Sequence, residues 1–289
     1  MGTRVAYPGR NGAHAATAAE RLFPVDADFA PMASFTAVAR ATAVHDVDFG
    51  VLPIESSVSG SVAETHDLLY ESPLSIIAET ILPIRHWLIG PAQVPLEEVR
   101  VVRSHPAALD QCRQLLAAMP WATVIASPST ADAASLVAER RDPTEAAIAG
   151  ERAAELHGLS VLAKDVGDHP EAYTRFVAVG TYVRVDRPRG AWRTAFSFVT
   201  DHQPGALHAA IEPFARHGID LAQLVSRPIP QTPWRYRFDA VLDGHPLDDD
   251  VRASLAEVAA RTRRLQVFGS YPAARSAYAA AVAELKPLR

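Results

Sequence analysis

The chain has 289 residues, of which 48% are apolar and 21% charged, so it can bury the cores of two compact domains. Its 28 basic and 33 acidic residues give a formal net charge of −5, which argues against a protein held on nucleic acid by phosphate contacts. A single cysteine, Cys112, excludes an internal disulfide and a multi-cysteine zinc site, and the histidines lack metal-ligand spacing. No apolar stretch reaches the roughly 18 residues of a membrane span, and the N-terminus lacks a leader pattern, so we expect a cytoplasmic protein without a membrane partner.

Short apolar runs alternate with helical stripes over about the first 180 residues. The runs predict strands at 5–7, 49–54, 74–81, 86–89, 99–102, 123–126, 146–148, 159–162 and 176–179. Helices are predicted at 13–22, at 61–70, from 106 through 116, after a cap at Ser34, after the capping box 129–132 and up to Gly158. This alternation favours a largely parallel α/β sheet with binding at the carboxyl ends of the strands, arranged as two lobes around a cleft.

The pattern changes after a polar segment at 183–190, which we interpret as a linker. Alternating side chains predict strands near 192–198, 219–225, 234–239 and 265–268, and helical stripes cover 207–214 and 251–258. The order βαββαβ within about 80 residues is the ferredoxin-like plan, an α+β fold.

Several short motifs follow one another along nearly the whole chain. They are residues 7–12 (YPGRNG), 50–57 (GVLPIESS), 104–109 (SHPAAL), 129–134 (STADAA), 174–176 (TRF), 204–207 (PGAL) and 226–228 (SRP). In this order and spacing the chain resembles a monofunctional prephenate dehydratase with a C-terminal ACT regulatory domain. The resemblance implies a two-lobed, periplasmic-binding-protein-like catalytic domain at 1–182, a linker at 183–190, an ACT domain at 191–272 and a helical tail at 273–289.

The resemblance implies a lyase that converts prephenate to phenylpyruvate in phenylalanine biosynthesis, with no cofactor and no metal. Catalytic roles fall on Thr174, whose hydroxyl can donate a hydrogen bond to the departing oxygen, and on Glu55 and Ser56 at the end of a strand. Glu55 is a candidate proton carrier or positioning group, although a carboxylate favoured by a helix start is a serious alternative. Arg175 offers a planar fork that suits a carboxylate, and Phe176 is assigned to structure.

Further substrate contacts are implied at turns and helix starts. They are assigned to Asn11, Gly12, Ser57, Ser104, His105 and Thr130. A plain tight turn explains residues 9–12 equally well, and residues 129–130 are first of all a helix cap. The chain departs from the family where Ala13 and His14 replace a hydroxyl residue and an aromatic one, and where Ser56 and Ala107 replace an Asn and a Gln.

Regulation and assembly are implied by the second domain. In the family, two of its segments meet across a dimer and hold phenylalanine, here Gly205, Ala206, Leu207, Ser226, Arg227 and Pro228. We therefore expect L-phenylalanine as effector and a homodimer or homotetramer. Alternatives left open are an arogenate dehydratase or a non-aromatising prephenate decarboxylase on the same scaffold, and a catalytically silent amino-acid sensor.

Overall fold

The structure is a computed structural model that describes residues 2–181 and 189–274. The predicted linker at 183–190 lies outside the described residues except for its last two positions. The predicted helical tail at 273–289 lies outside them except for its first two.

Strands and helices alternate through the described ranges, with one 3₁₀ turn at Leu96–Glu98. The strands are β1 (Arg4–Pro8), β2 (Asp28–Met32), β3 (Phe49–Ser56), β4 (Gly60–Ser61), β5 (Ser75–Pro83), β6 (Trp87–Gly90), β7 (Val101–Ser104), β8 (Thr123–Ala126), β9 (Glu145–Ala149), β10 (Ser160–Ala163), β11 (Tyr173–Gly180), β12 (Trp192–Val199), β13 (Leu221–Pro228), β14 (Tyr236–Asp243) and β15 (Arg264–Pro272). The helices are α1 (His14–Leu22), α2 (Phe35–Ala43), α3 (Ala63–Glu71), α4 (Pro106–Asp110), α5 (Arg113–Ala118), α6 (Thr130–Arg140), α7 (Glu151–His157), α8 (Ala206–Arg216) and α9 (Asp249–Arg261).

The strands form three sheets, in the orders β2-β1-β3-β11-β5 with β4 paired to β3, β10-β6-β9-β7-β8, and β13-β14-β12-β15. The third sheet is antiparallel in all three of its strand pairs. Strand β7 runs parallel to β8 and β9, but β6 runs antiparallel to β9 and β10. The expectation of a largely parallel sheet is therefore wrong for this sheet, in which two of the four strand pairs are antiparallel, whereas β1 and β2 of the first sheet are parallel. Parallel neighbours need helical crossovers, which α4 to α6 supply between β7, β8 and β9.

By its internal contacts the described chain divides into two compact units, each assembled from three segments. Unit 1 comprises Met1–Val38, Val51–Gly60 and Ile81–Phe176, and unit 2 comprises Ala39–Gly50, Ser61–Thr80 and Val177–Arg289. These units follow contacts rather than the predicted domain boundaries near 182 and 191, which stay predictions.

In unit 1, the sheet β10-β6-β9-β7-β8 is covered on both faces, as its central strand β9 shows. Ala147 and Ala149 pack with the small residues of α6 and α7, while Ala146 and Ile148 pack with Leu88, Ala108 and Cys112. Successive side chains of a strand point to opposite faces, so a continuous apolar run is what a doubly covered strand requires.

The predicted helix from 106 through 116 is two helices, and Cys112 stands between them. The Asp168 carboxylate accepts hydrogen bonds from the backbone N–H groups of Arg113 (2.9 Å) and Gln114 (3.0 Å), so it caps α5 and starts a new helix there. Burial and the Asp168 charge raise the pKa of the Cys112 thiol to about 12. The thiol is fully buried, as predicted for a small apolar residue.

In unit 2, residues 192–272 have the predicted order βαββαβ. One face of the sheet packs Phe196, Phe198 and Leu242 against α8 and α9, which contribute Phe214 and Leu255. Strand β14 begins at Tyr236, two residues later than predicted, because Trp234 adopts a left-handed φ of 62°.

Candidate active site

A cavity of about 350 Å³ opens in unit 1 where β1, β7 and β8 end and β11 begins. It is lined by Pro8, Gly9, Ala13, His14, Ala15, Ala33, Ser34, Phe35, Pro53, Ile84, His86, His105, Ala107, Ala108, Gln111, Pro128, Ser129, Thr130, Asp132, Thr174 and Phe176. Of the predicted site residues it brings together Thr174, His105 and Thr130. It lies at the carboxyl ends of strands, where binding was expected.

Four helices begin at this cavity: α1, α2, α4 and α6. Ser34 Oγ accepts from Ala37 N (3.1 Å), and Ser129 Oγ accepts from Asp132 N (3.0 Å), as the predicted caps require. His105 Nδ1 accepts from Ala107 N at 3.2 Å and so caps α4. Helix N-termini carry partial positive charge and free amide donors, so their convergence suits an anionic ligand. None of the described residues that line the cavity is Lys or Arg.

The first residues of β11 divide between its two faces. Thr174 and Phe176 line the cavity, whereas Arg175 does not and instead lies 3.4 Å from the Glu55 carboxylate. This is the alternation of a strand, which sends neighbouring side chains in opposite directions. The structure therefore pairs Arg175 with Glu55, and their predicted roles at the substrate stay predictions.

Ser57 ties the end of β3 to the start of β11. Its backbone N–H donates to Tyr173 O (2.9 Å), and its Oγ accepts from Tyr173 N (2.9 Å). Ser57 thereby fixes the residue directly before Thr174. Ser56 Oγ accepts from the backbone N–H groups of Val58 (3.2 Å) and Ser59 (3.3 Å), which holds a local turn. Ser56 and Ser57 do not line the described part of the cavity, so their predicted contacts with substrate stay untested.

Three other predicted contacts lie elsewhere in unit 1. Asn11 and Gly12 line a second cavity of about 240 Å³, where the Tyr7 hydroxyl donates to Asn11 Oδ1 at 2.5 Å. Ser104 is fully buried, and its Oγ donates to Ile148 O at 2.6 Å, inside the sheet. The hydrogen bonds of Asn11 and Ser104 within the protein account for these residues without a ligand. The predicted contacts of Asn11, Gly12 and Ser104 with substrate stay predictions.

Two histidines that the sequence analysis did not assign to the site, His14 and His86, line the cavity. Their ring centroids are 6.2 Å apart and their planes nearly perpendicular, at 88°. Burial, reinforced by His86, lowers the pKa of His14 to about 4, and burial also lowers the pKa of His86 against the opposing hydrogen bond from Gln111. Both rings are therefore neutral near pH 7. The sequence feature that could have indicated His14 is its position at the start of a predicted helix, two residues after Gly12.

In unit 2 the predicted effector residues lie at the start of α8 and the end of β13. Gly205 precedes α8 with a φ of 82°, and Arg227 donates to the Asp67 carboxylate at 2.6 Å. A cavity of about 170 Å³ is lined by His202, Ile229 and Tyr236 among others. The six predicted effector residues are not among its described lining residues, so their role stays a prediction.

Comparison with known proteins identifies the family. Residues 5–183 match the family model described as prephenate dehydratase. The chain belongs to the prephenate dehydratase family. A bifunctional chorismate mutase/prephenate dehydratase of Aquifex aeolicus is 35% identical over 94% of this chain and 74% of its own length. An arogenate dehydratase/prephenate dehydratase of Arabidopsis thaliana is 33% identical over 93% of this chain and 72% of its own.

A solved structure supports the same assignment. The prephenate dehydratase of Arthrobacter aurescens, solved in complex with L-Phe, is 30% identical to this chain and covers 97% of both chains with a TM-score of 0.85. The mixed α/β fold described above is therefore that of prephenate dehydratase structures. Within the described residues, no helix is both long and apolar enough to cross a membrane.

Proposed function

We propose that the protein converts prephenate to phenylpyruvate, with the Thr174 hydroxyl assisting the departure of the ring hydroxyl. The observation that carries this proposal is that Thr174 faces a cavity on which four helix N-termini converge. The reaction takes the prephenate dianion and one proton to the phenylpyruvate anion, CO₂ and water. Formation of the aromatic ring drives it, so the chain must supply only binding, orientation and hydrogen bonds.

The free amide groups and positive ends of the helices provide for the two carboxylates, because they bind anions without a cationic side chain. The Thr174 hydroxyl is not a strong acid, but it can stabilise the negative charge that develops on the leaving oxygen. Ser57 supports this role because it hydrogen-bonds both the backbone N–H and the backbone C=O of Tyr173, the residue directly before Thr174. Glu55 and Arg175 form an ion pair on the opposite face of β11, where we propose a positioning role for them.

The assay that tests this proposal follows phenylpyruvate formed from prephenate by the purified protein. We expect an aromatic keto-acid product, and parallel reactions with arogenate compare kcat/KM for the two substrates. The Arabidopsis relative is named for both activities, so a higher kcat/KM with arogenate would assign this chain to that alternative. A non-aromatic product would indicate the decarboxylase, and prephenate binding without turnover would indicate a sensor.

We also propose that residues 191–272 form an ACT regulatory domain that binds L-phenylalanine, following a catalytic domain at about 1–182. The βαββαβ order supports the fold, and the L-Phe complex of the Arthrobacter relative supports the ligand. Assembly into a homodimer or homotetramer through these domains, in the cytoplasm, belongs to the same proposal.

Calorimetry with L-phenylalanine is expected to show saturable binding that Ser226→Val weakens, since Ser226 lies in the predicted effector segment at the end of β13. D-phenylalanine is the matched control ligand, because it has the same charge and ring with the opposite configuration. No heat with millimolar L-phenylalanine, or equal binding of both enantiomers, would contradict an effector site of this kind.

A further inference from the structure

His14 is held in a defined place on the cavity. It is the first residue of α1, and a Cβ at Gly150 would lie 3.3 Å from its Nε2, so the glycine before α7 leaves room for the ring. On another side stands His86, whose ring is edge-on to it with centroids 6.2 Å apart. The His14 ring is therefore packed between a glycine backbone and a second imidazole.

A hydrogen bond to Gln111 holds the His86 ring in turn. Its Nε2 lies 2.8 Å from Gln111 Oε1, so with the amide oriented in this way Nε2 carries the hydrogen. Nδ1 then presents a lone pair, and it has no hydrogen-bond partner among the described residues although His86 is only 5% exposed. A buried polar atom without a protein partner is uncommon, and such atoms often lie at functional sites.

Besides the helix N-termini, the described part of the cavity offers a dianion no permanently cationic side chain, and an imidazole ring can become cationic. The proposed substrate is a dianion, and no Lys or Arg stands among the described lining residues. The one carboxylate there, Asp132, is paired with Arg10. Titratable or charged groups on the elements around His14 include Arg4 and Tyr7 on β1, Glu20 and Arg21 on α1, and Glu151, Arg152, Glu155 and His157 on α7, besides His86 and His105 at the cavity.

We propose that His14 binds a carboxylate of the substrate and takes up a proton from solvent as it does so, with His86 as its positioning residue. This inference rests on the proposed function, which supplies the dianion. An imidazolium at His14 would pair with the incoming carboxylate, and its ring neighbour would be a neutral imidazole with an uncommitted lone pair.

The pH dependence follows from linkage. In the free protein burial holds the pKa of His14 at about 4, and a bound carboxylate raises it, so the complex holds more protons than the free protein. Affinity for the dianion is then greatest at low pH and falls as pH rises through the pKa of His14 in the complex.

The experiment uses calorimetry of prephenate binding to the full-length Thr174→Ala variant, which we expect to bind prephenate but to turn it over about 10²- to 10³-fold more slowly. Titrations in phosphate and in Tris, whose ionisation enthalpies differ, report the number of protons taken up. We expect net uptake that increases from about pH 8 to about pH 6. Adding His14→Phe, which keeps an aromatic ring against His86, should abolish that increase and weaken affinity at least about tenfold at pH 6.

Two further variants separate the roles. His14→Gln keeps a hydrogen-bond donor that cannot titrate, so we expect partial binding without proton uptake. His157→Gln, at the end of α7, is the matched control and should behave like the parent. Equal proton uptake with and without His14→Phe would overturn the inference even if the wild-type protein makes phenylpyruvate. Absence of prephenate binding to the Thr174→Ala variant would also overturn the inference about His14. Absence of product from the wild-type protein would instead overturn the proposed function.

Discussion

Thr174→Ala is expected to lower kcat for phenylpyruvate formation by about 10²- to 10³-fold, because it removes the hydroxyl that we propose as the hydrogen-bond donor to the leaving oxygen. Thr174 is the hydroxyl residue at the start of β11 that lines the cavity together with Phe176. The KM for prephenate should change little, since the carboxylates are bound by other groups. Steady-state kinetics with a continuous assay of phenylpyruvate measures both constants.

Thr174→Ser is the informative partner of this variant, because it keeps the hydroxyl and removes only a methyl group. We expect it to recover most of the lost kcat. Thr123→Ala, at the exposed start of β8, is the control for replacing a strand threonine and should leave kcat unchanged. A well-folded Thr174→Ala protein with near-normal kcat would remove Thr174 from the mechanism.

How far the site follows from sequence is clearest along β11. The motif at 174–176 contains two residues that line the cavity, but the predicted strand begins at 176, whereas β11 begins at Tyr173. With the later start, the sequence places Thr174 and Arg175 before the strand, where both side chains can act on one substrate. The two hydrogen bonds between Ser57 and Tyr173 extend the strand, and alternation then places these side chains on opposite faces. That pairing joins residues 116 positions apart, so local periodicity does not reveal it.

The helix caps show the opposite case. Ser34 and Ser129 are predicted as caps from the residues that follow them, and both accept the expected backbone hydrogen bonds. Caps are local, so sequence is sufficient for them. The break at Cys112 is not local, because it depends on Asp168, more than 50 residues further along the chain. The same holds for the pairing of His14 with His86.

Strand β14 of unit 2 combines both cases. Its alternation is predicted, but sequence alone does not show that Arg237 and Asp239 are buried, with exposed fractions of 0% and 2%. Arg237 also pairs with Asp67 on α3, 170 positions earlier in the chain, and it stacks over the Tyr70 ring at 4.3 Å. An alternating polar face is ordinarily solvated, and here a distant helix supplies the countercharge instead.

Asp239→Ala is expected to lower the free energy of unfolding by about 1.5–3 kcal/mol, because it removes two hydrogen bonds between charged groups while the buried guanidinium of Arg237 keeps its contact with Asp67. Asp239 Oδ1 accepts from Arg237 Nε at 3.1 Å, and Asp239 Oδ2 lies 3.3 Å from His66 Nδ1. Urea denaturation followed by circular dichroism measures the change. The matched control is Asp201→Ala, since Asp201 pairs with Arg263 at the exposed surface and such pairs contribute about 0–1 kcal/mol.

The contribution of Asp239 should depend on pH with a definite sign. Burial opposes its ionisation, but hydrogen bonds from His66 and Arg237 and the charge of Arg237 outweigh burial, so its pKa in the folded protein is lowered. A carboxylate with a lowered folded pKa stabilises the fold above its unfolded pKa of about 3.9, and that stability is lost as pH falls through the folded pKa. The stability difference between wild type and Asp239→Ala should therefore be constant near neutral pH and shrink on acidification.

Adding Arg237→Met to Asp239→Ala tests the physical cause directly. If the loss comes from the buried Arg237 guanidinium, which Asp239→Ala leaves with one carboxylate, then removing the guanidinium should recover part of the stability. Apolar side chains of similar length often replace a buried ion pair at little cost. Asp67 would keep Arg227, which donates to it at 2.6 Å. If the double variant is as unstable as the sum of the two single variants, the loss arises from packing around β14 and not from an uncompensated charge.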